Sequence, residues 1–70
     1  MAVIRQYREK RKITQKDLAK RLNVAQSTVA MWETGNRKPD IVTIKRLSEI
    51  FECTTDDLLK DIEEKEDVNN

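Results

Sequence analysis

Apolar residues recur along this chain at helical spacing. Ile4 and Tyr7, with Arg8 beside them, stand at i, i+3 and i+4 and predict a first helix from about Ala2 to Arg11. Ile13 follows as an apolar plug in the linking turn. Leu18 and Leu22, with the small Ala19 between them, predict a second helix over about Gln15 to Leu22, and Val29 with Trp32 a third from about Gln26 to Thr34. Ile41, Ile44, Leu47 and Phe51, with Ser48 as a small neighbour, form the inner stripe of a fourth, Ile41 to Phe51. Leu58 and Leu59 are the core contacts of a fifth, about Thr55 to Lys60 and reaching toward Ile62. The fold class is all-α.

Polar punctuation agrees with these boundaries. Thr14 is a natural N-cap for the second helix, with Asp17 three residues on completing a capping pair. Asn23 stands at a sharp turn and tolerates the left-handed conformation, and Val24 fills the space beneath it. Gly35 ends the third helix, Asp40 after Pro39 caps the fourth, and Thr54 with Asp57 repeats the capping signal. Helices two and three thus bury one face each where they cross. Gln26, Ser27, Ala30, Met31 and Thr34 are left facing outward, the way a helix-turn-helix presents its second helix to a DNA major groove.

The net charge of +1 looks unfavourable for a polyanion partner, but its distribution changes that picture. Residues 1–21 carry eight cations against two acids, net +6, whereas residues 51–70 carry two against eight, net −6. A basic half suits phosphate and an acidic end avoids it. One domain is expected over residues 1–62, with 63–70 an acidic segment that lacks an apolar face and frays. Cys53 is the only cysteine, so no intramolecular disulfide can form, which fits a cytoplasmic setting. No apolar run approaches the ~20 residues of a membrane span, and the amino terminus has no signal-peptide stretch. With no histidine, no metal-ligand cluster and no glycine-rich phosphate loop, an enzyme is not expected, and no cofactor is required.

In joint register, Arg8, Thr14-Gln15, Leu18-Ala19, Leu22, Val24, Val29, Trp32-Glu33, Gly35, Pro39, Leu47, Phe51 and Leu58-Leu59 make the chain resemble the lambda-repressor-like, Cro/Xre family of helix-turn-helix domains. The resemblance covers about Ile4 to Leu59. It implies a compact five-helix domain, sequence-specific binding to double-stranded DNA, and a two-fold dimer on a palindromic operator. It also implies a pairing of Arg8 on the first helix with Glu33 at the end of the third. Two departures stand out. Asn23 occupies a turn position where the family often has glycine, and Ala25 lacks the capping hydroxyl common before the recognition helix, which loosens its first turn or moves its cap.

Base reading is assigned to Gln26, whose amide can pair with adenine N6 and N7, to Ser27, and to Ala30 and Met31, which can pack on a thymine methyl. For Met31, burial against a neighbouring helix is an equal alternative. Phosphate contacts are assigned to Gln15, Thr28, Thr34, Asn36, Arg37 and Lys38, which offer donors flanking the groove. Trp32 and Cys53 are read as packing residues. Leu58, Leu59 and Ile62 exceed what one core stripe needs, so at least one is free to face a partner and the segment from Phe51 to Ile62 is the candidate dimer interface; the alternative is that all three complete the monomer core. The sequence therefore reads as a small cytoplasmic transcriptional repressor, with no room for a ligand-sensing domain. The rival reading is a protein-interaction module, such as the antitoxin of a toxin–antitoxin pair, with the helical surface or acidic tail engaging a partner protein.

Overall fold

The computed structural model describes residues 1–60 of the chain. Four helices, α1 (Ala2–Lys10), α2 (Gln15–Leu22), α3 (Gln26–Thr34) and α4 (Ile41–Phe51), are followed by α5, described over residues 55–60. There is no strand among the described residues. The expected limits of 62 for the domain and 63–70 for the tail lie outside them.

Each junction has a local cause. α1 stops at Lys10, one residue earlier than expected, and Lys12 turns the chain with φ 57°. The Ile13 N–H then reaches back to the Arg8 carbonyl at 2.9 Å, which drops the Ile13 side chain into the core. The Thr14 hydroxyl accepts the Asp17 N–H at 3.0 Å. The Asp17 carboxylate lies 3.6 Å from the Arg21 guanidinium, so the box is completed on one side by a helix pair. At Thr54 and Asp57 both bonds form, at 3.1 and 3.0 Å. Asn23 adopts the left-handed conformation, φ 58° and ψ 46°, and the Val24 N–H closes on the Ala19 carbonyl at 3.0 Å. That turn sets the angle between α2 and α3.

α3 packs against both α1 and α2. Ile4, Leu18, Val29, Leu47, Phe51 and Leu58 are fully buried, and Ala19, Leu22, Trp32 and Ile44 nearly so. Each large apolar side chain withdrawn from water contributes about 1.5–3 kcal/mol before entropy is charged against it. The Tyr7 ring stacks on Phe51 with centroids 5.7 Å apart. Trp32 is core, and Cys53 packs half-buried against the core, where burial pushes its thiol up. Met1, not foreseen in the core, is buried there, and its amino group donates to the Trp32 carbonyl.

Ile41 departs from expectation. It is 70% exposed, and Val42 is 63% exposed. Ile44, Leu47, Ser48 and Phe51 carry the inner face of α4, while Ile41 and Val42 in its first turn face solvent. Periodicity marks a face but not how far along that face a neighbour extends.

Candidate nucleic-acid interface

The outward arc of α3 is built by what its inward arc holds. Val29 and Trp32 are anchored in the core, so Gln26, Ser27 and Thr34 are exposed, and Ala30 and Met31 are half-exposed on the same side. At 100° per residue, Gln26, Ala30 and Thr34 form one line along the helix, with Ser27 and Met31 beside it. The four residues assigned to base reading therefore share one face. Met31 is exposed enough to meet a base and buried enough to pack, so both of its readings stay open.

Ala25 precedes α3 in extended conformation with no side-chain cap. Its carbonyl takes the Thr28 N–H at 3.0 Å and the Val29 N–H at a long 3.4 Å, so the first turn is slack. No side chain competes for the leading N–H groups of the helix, the ends that attract anions. At the far end, Gly35 turns with φ 86° and the Arg37 N–H folds back to the Met31 carbonyl at 3.2 Å. That bond ties the basic loop to the helix and leaves Asn36, Arg37 and Lys38 exposed at its edge.

A buried ion pair fixes the other side of α3. Arg8 Nε donates to Glu33 Oε2 at 2.7 Å and Nη2 to Oε1 at 3.2 Å, while Nη1 donates to the Ile13 carbonyl at 2.9 Å. The two side chains are 12% and 5% exposed. Burial alone would raise the Glu33 carboxyl, but hydrogen bonds from Arg8 and Gln15, with the Arg8 charge behind them, hold it below its ordinary value. The same bond to Glu33 holds the Arg8 guanidinium above its own. One guanidinium thus ties α1 to α3 and to the α1–α2 turn.

Several assigned phosphate donors have other employment. The Gln15 amide donates to Glu33 Oε1 at 3.1 Å, because the first turn of α2 points it at the buried carboxylate. The Thr34 hydroxyl donates to the Met31 carbonyl at 3.3 Å and must rotate before it can serve a phosphate, which only accepts. Thr28 is half-buried. The exposed cations Arg37 and Lys38 are the strongest of the set. Of the dimer candidates, Phe51 and Leu58 are fully buried within the chain and have no surface to give a second copy. Leu59 is half-buried, and Ile62 lies outside the described residues. The Gln15–Glu33 bond and the position of Arg5 beside this network were missed by sequence reasoning. The i, i+7 step from Arg8 to Gln15 crosses a turn and carries no periodic signal.

No helix among the described residues is long and apolar enough to cross a membrane. No group of His, Cys, Asp and Glu among them is placed to hold a metal ion.

Two short helices crossing at a left-handed three-residue turn, with the second presenting a polar outer face, define a helix-turn-helix domain. The chain belongs to the helix-turn-helix family, which it matches over residues 4–58. It is 34% identical over 56 residues to the HTH-type transcriptional activator BcrR of Enterococcus faecalis, covering 80% of this chain and 28% of that protein. It is 34% identical over 56 residues to the HTH-type transcriptional regulator ImmR of Bacillus subtilis, covering 80% and 44%. With the uncharacterized HTH-type transcriptional regulator YqaE of the same organism the figures are 32% over 57 residues, 81% and 49%. The chain thus spans between about a quarter and a half of the length of these relatives. No solved structure matches the chain significantly.

Proposed function

We propose that this chain is a cytoplasmic, non-enzymatic transcriptional regulator that binds double-stranded DNA in a sequence-specific way. In this reading α3 lies in the major groove. Gln26 and Ser27 read base edges at its leading end, and Ala30 and Met31 offer apolar contact to thymine methyls. Arg37, Lys38 and Asn36 hold the phosphates beyond its trailing end. The observation that carries the reading is the two-sided construction of α3, with Val29, Trp32 and Glu33 fixed inward and an uncharged, hydrogen-bonding stripe left outward. The names of the relatives, which are transcriptional regulators, support it.

One such helix reads only a few base pairs, so the functional unit is a dimer on a palindromic operator with half-sites about 34 Å apart. The proposed outcome is repression by operator occupancy. Leu59, half-buried at the surface, is the described residue best placed to contribute to that dimer, and Ile62 lies outside the described residues. Selection from a random duplex library tests the reading. A recovered palindrome, saturated by two protomers per duplex, is the expected result, and a pool with no enriched sequence defeats it. A promoter-reporter assay then gives the sign of regulation. The antitoxin reading rests on the helical surface or on the acidic segment 63–70, which lies outside the described residues, and no structural observation favours it.

A further inference from the structure

A cleft of about 320 Å³ opens between α1, the start of α2 and the second half of α3, lined by Arg5, Arg8, Gln15, Ala30, Glu33 and Thr34. Water occupies about 30 Å³ per molecule in the liquid, so the cleft has room for a tetrahedral anion and its remaining waters. Two of its lining residues, Ala30 and Thr34, belong to the outward line of α3 that begins at Gln26. The cleft therefore borders the proposed reading face on the α1 side.

The charges in the cleft are unequal in reach. The Glu33 carboxylate is 5% exposed and turned onto Arg8, so the two cancel at the floor. Arg5 stands at the rim with 65% of its side chain exposed, and its charge helps hold the Glu33 carboxyl down across the cleft. Its present partner is Glu9, one turn along α1, at 3.2 Å. Exposed pairs of this kind contribute about 0–1 kcal/mol and exchange readily.

We propose that the mouth of this cleft is a seat for a DNA backbone phosphate, that Arg5 is its principal cation, and that Glu9 competes with the phosphate for Arg5. The proposal rests on the DNA-binding reading above. A phosphate there accepts from the Arg5 guanidinium, and from the Thr34 hydroxyl once it rotates off the Met31 carbonyl. It lies on the side of α3 that faces α1. Arg5 then adds a phosphate contact from α1 to those of Arg37 and Lys38, and Glu9 sets how much of its charge is free.

Because a phosphate contact is independent of sequence, the probe is a labelled duplex of mixed sequence, titrated by fluorescence anisotropy across a salt series. Arg5→Gln is expected to weaken binding and to flatten the slope of log affinity against log salt by about 0.9 per bound protomer. Glu9→Gln is expected to tighten binding several-fold, and Arg5→Gln in that background to abolish the gain. Lys10→Gln is the control. It removes the same charge from the same helix, 140° around α1 from Arg5 by helical geometry. Circular-dichroism melts of each variant show that the fold is kept, as the exposure of Arg5 and Glu9 leads one to expect. A slope for Arg5→Gln no flatter than for Lys10→Gln overturns the phosphate seat while leaving DNA binding intact. Absence of salt-dependent duplex binding by the unaltered chain overturns the DNA-binding reading itself.

Discussion

Replacing Arg8 with alanine tests how much of the positioning of α3 depends on a single side chain. The substitution removes three donor contacts, at 2.7, 3.2 and 2.9 Å, and leaves the buried Glu33 carboxylate with the Gln15 amide as its remaining hydrogen-bond donor. Removing one member of a buried pair costs about 3–5 kcal/mol, because the survivor stays desolvated and uncompensated. The surviving Gln15 bond argues for the lower end, about 3 kcal/mol. A chain of this length has about 3.5–10 kcal/mol in all, so the loss is a large fraction of it. In melting temperature it corresponds to a drop of about 12–24 °C. Glu33→Ala should cost less, about 1–2 kcal/mol, since Arg8 keeps the Ile13 carbonyl and is near enough to the surface to recruit water. The double variant should then cost less than the two together, with a coupling of about 2 kcal/mol. The pH dependence gives a second handle. The folded Glu33 value is lowered, so the stability the pair supplies is present above the ordinary glutamate range and is lost as pH falls through the folded value. In Arg8→Ala the same carboxyl prefers its proton, so the gap between parent and variant should narrow in acid. Urea titrations of the four chains at neutral and acid pH measure both effects. Additive losses with a pH-independent gap would refute the reasoning.

Other consequences follow from single contacts. Ala25→Ser supplies the missing cap of α3 and should raise stability by about 1 kcal/mol, read as a melting point about 4–8 °C higher. Neutralising Arg37 and Lys38 together should weaken all duplex sequences alike and flatten the salt slope by about 1.8 per protomer, and an unchanged slope would remove the loop from the interface. The hydroxyl and N–H of Thr43 hold the Asp40 carboxyl below the ordinary aspartate range, so its capping contribution is present above that range and lost as pH falls through the folded value. Asp40→Asn keeps a cap without the titration, and the difference in urea midpoint between the two chains should therefore shrink in acid.

What could be read from the sequence was whatever depends on neighbours along the chain. The end of α3 and the start of α4 follow from Gly35 and Asp40, residues whose preferences act locally, whereas Ala25 offers no capping signal for the start of α3. The Asn23 turn was legible for the same reason. Ile41 was misplaced because its burial depends on what lies across from the first turn of α4, and no spacing encodes that. The apolar excess of Leu58, Leu59 and Ile62 is a count within one short helix, and such a count does not show what the rest of the chain needs from it; Phe51 enters the candidate interface only as the start of that segment. In the structure Phe51 meets the Tyr7 ring from α1, and α5 closes the core with Leu58. The Arg8–Glu33 pair was expected only through family resemblance, and its third member, Gln15, was assigned to phosphate because an amide at a helix start suits either role. Chemistry that arises from long-range meetings is where local reading runs out.

The proposed reading helix, α3, has an unusual allocation of charge that ties these points together. Among the nine residues of α3 the single charged side chain is Glu33, and it is turned inward and neutralised by Arg8. In the proposed complex, base contact is thus left to an amide, hydroxyls and apolar groups, which discriminate by fit but contribute little long-range attraction. That attraction must come from cations on the flanks, and phosphate contacts supply affinity without reading sequence. With Arg5, Arg37 and Lys38 as the contacts of one protomer, the salt slope is about −2.7, a shallow value for a protein that must find one site among many. Two protomers double it and double the bases read, which is a physical argument for pairing that does not depend on locating the interface. It also explains why Glu33 must be paired so thoroughly. A free carboxylate at that point would sit beside the proposed phosphate seat, and repulsion there would offset the contribution of Arg5. Replacing Arg8 should therefore steepen the loss of DNA affinity beyond what unfolding accounts for, measured at a temperature where the variant is still folded. Equal affinity under those conditions would show that the charge of Glu33 does not reach the groove.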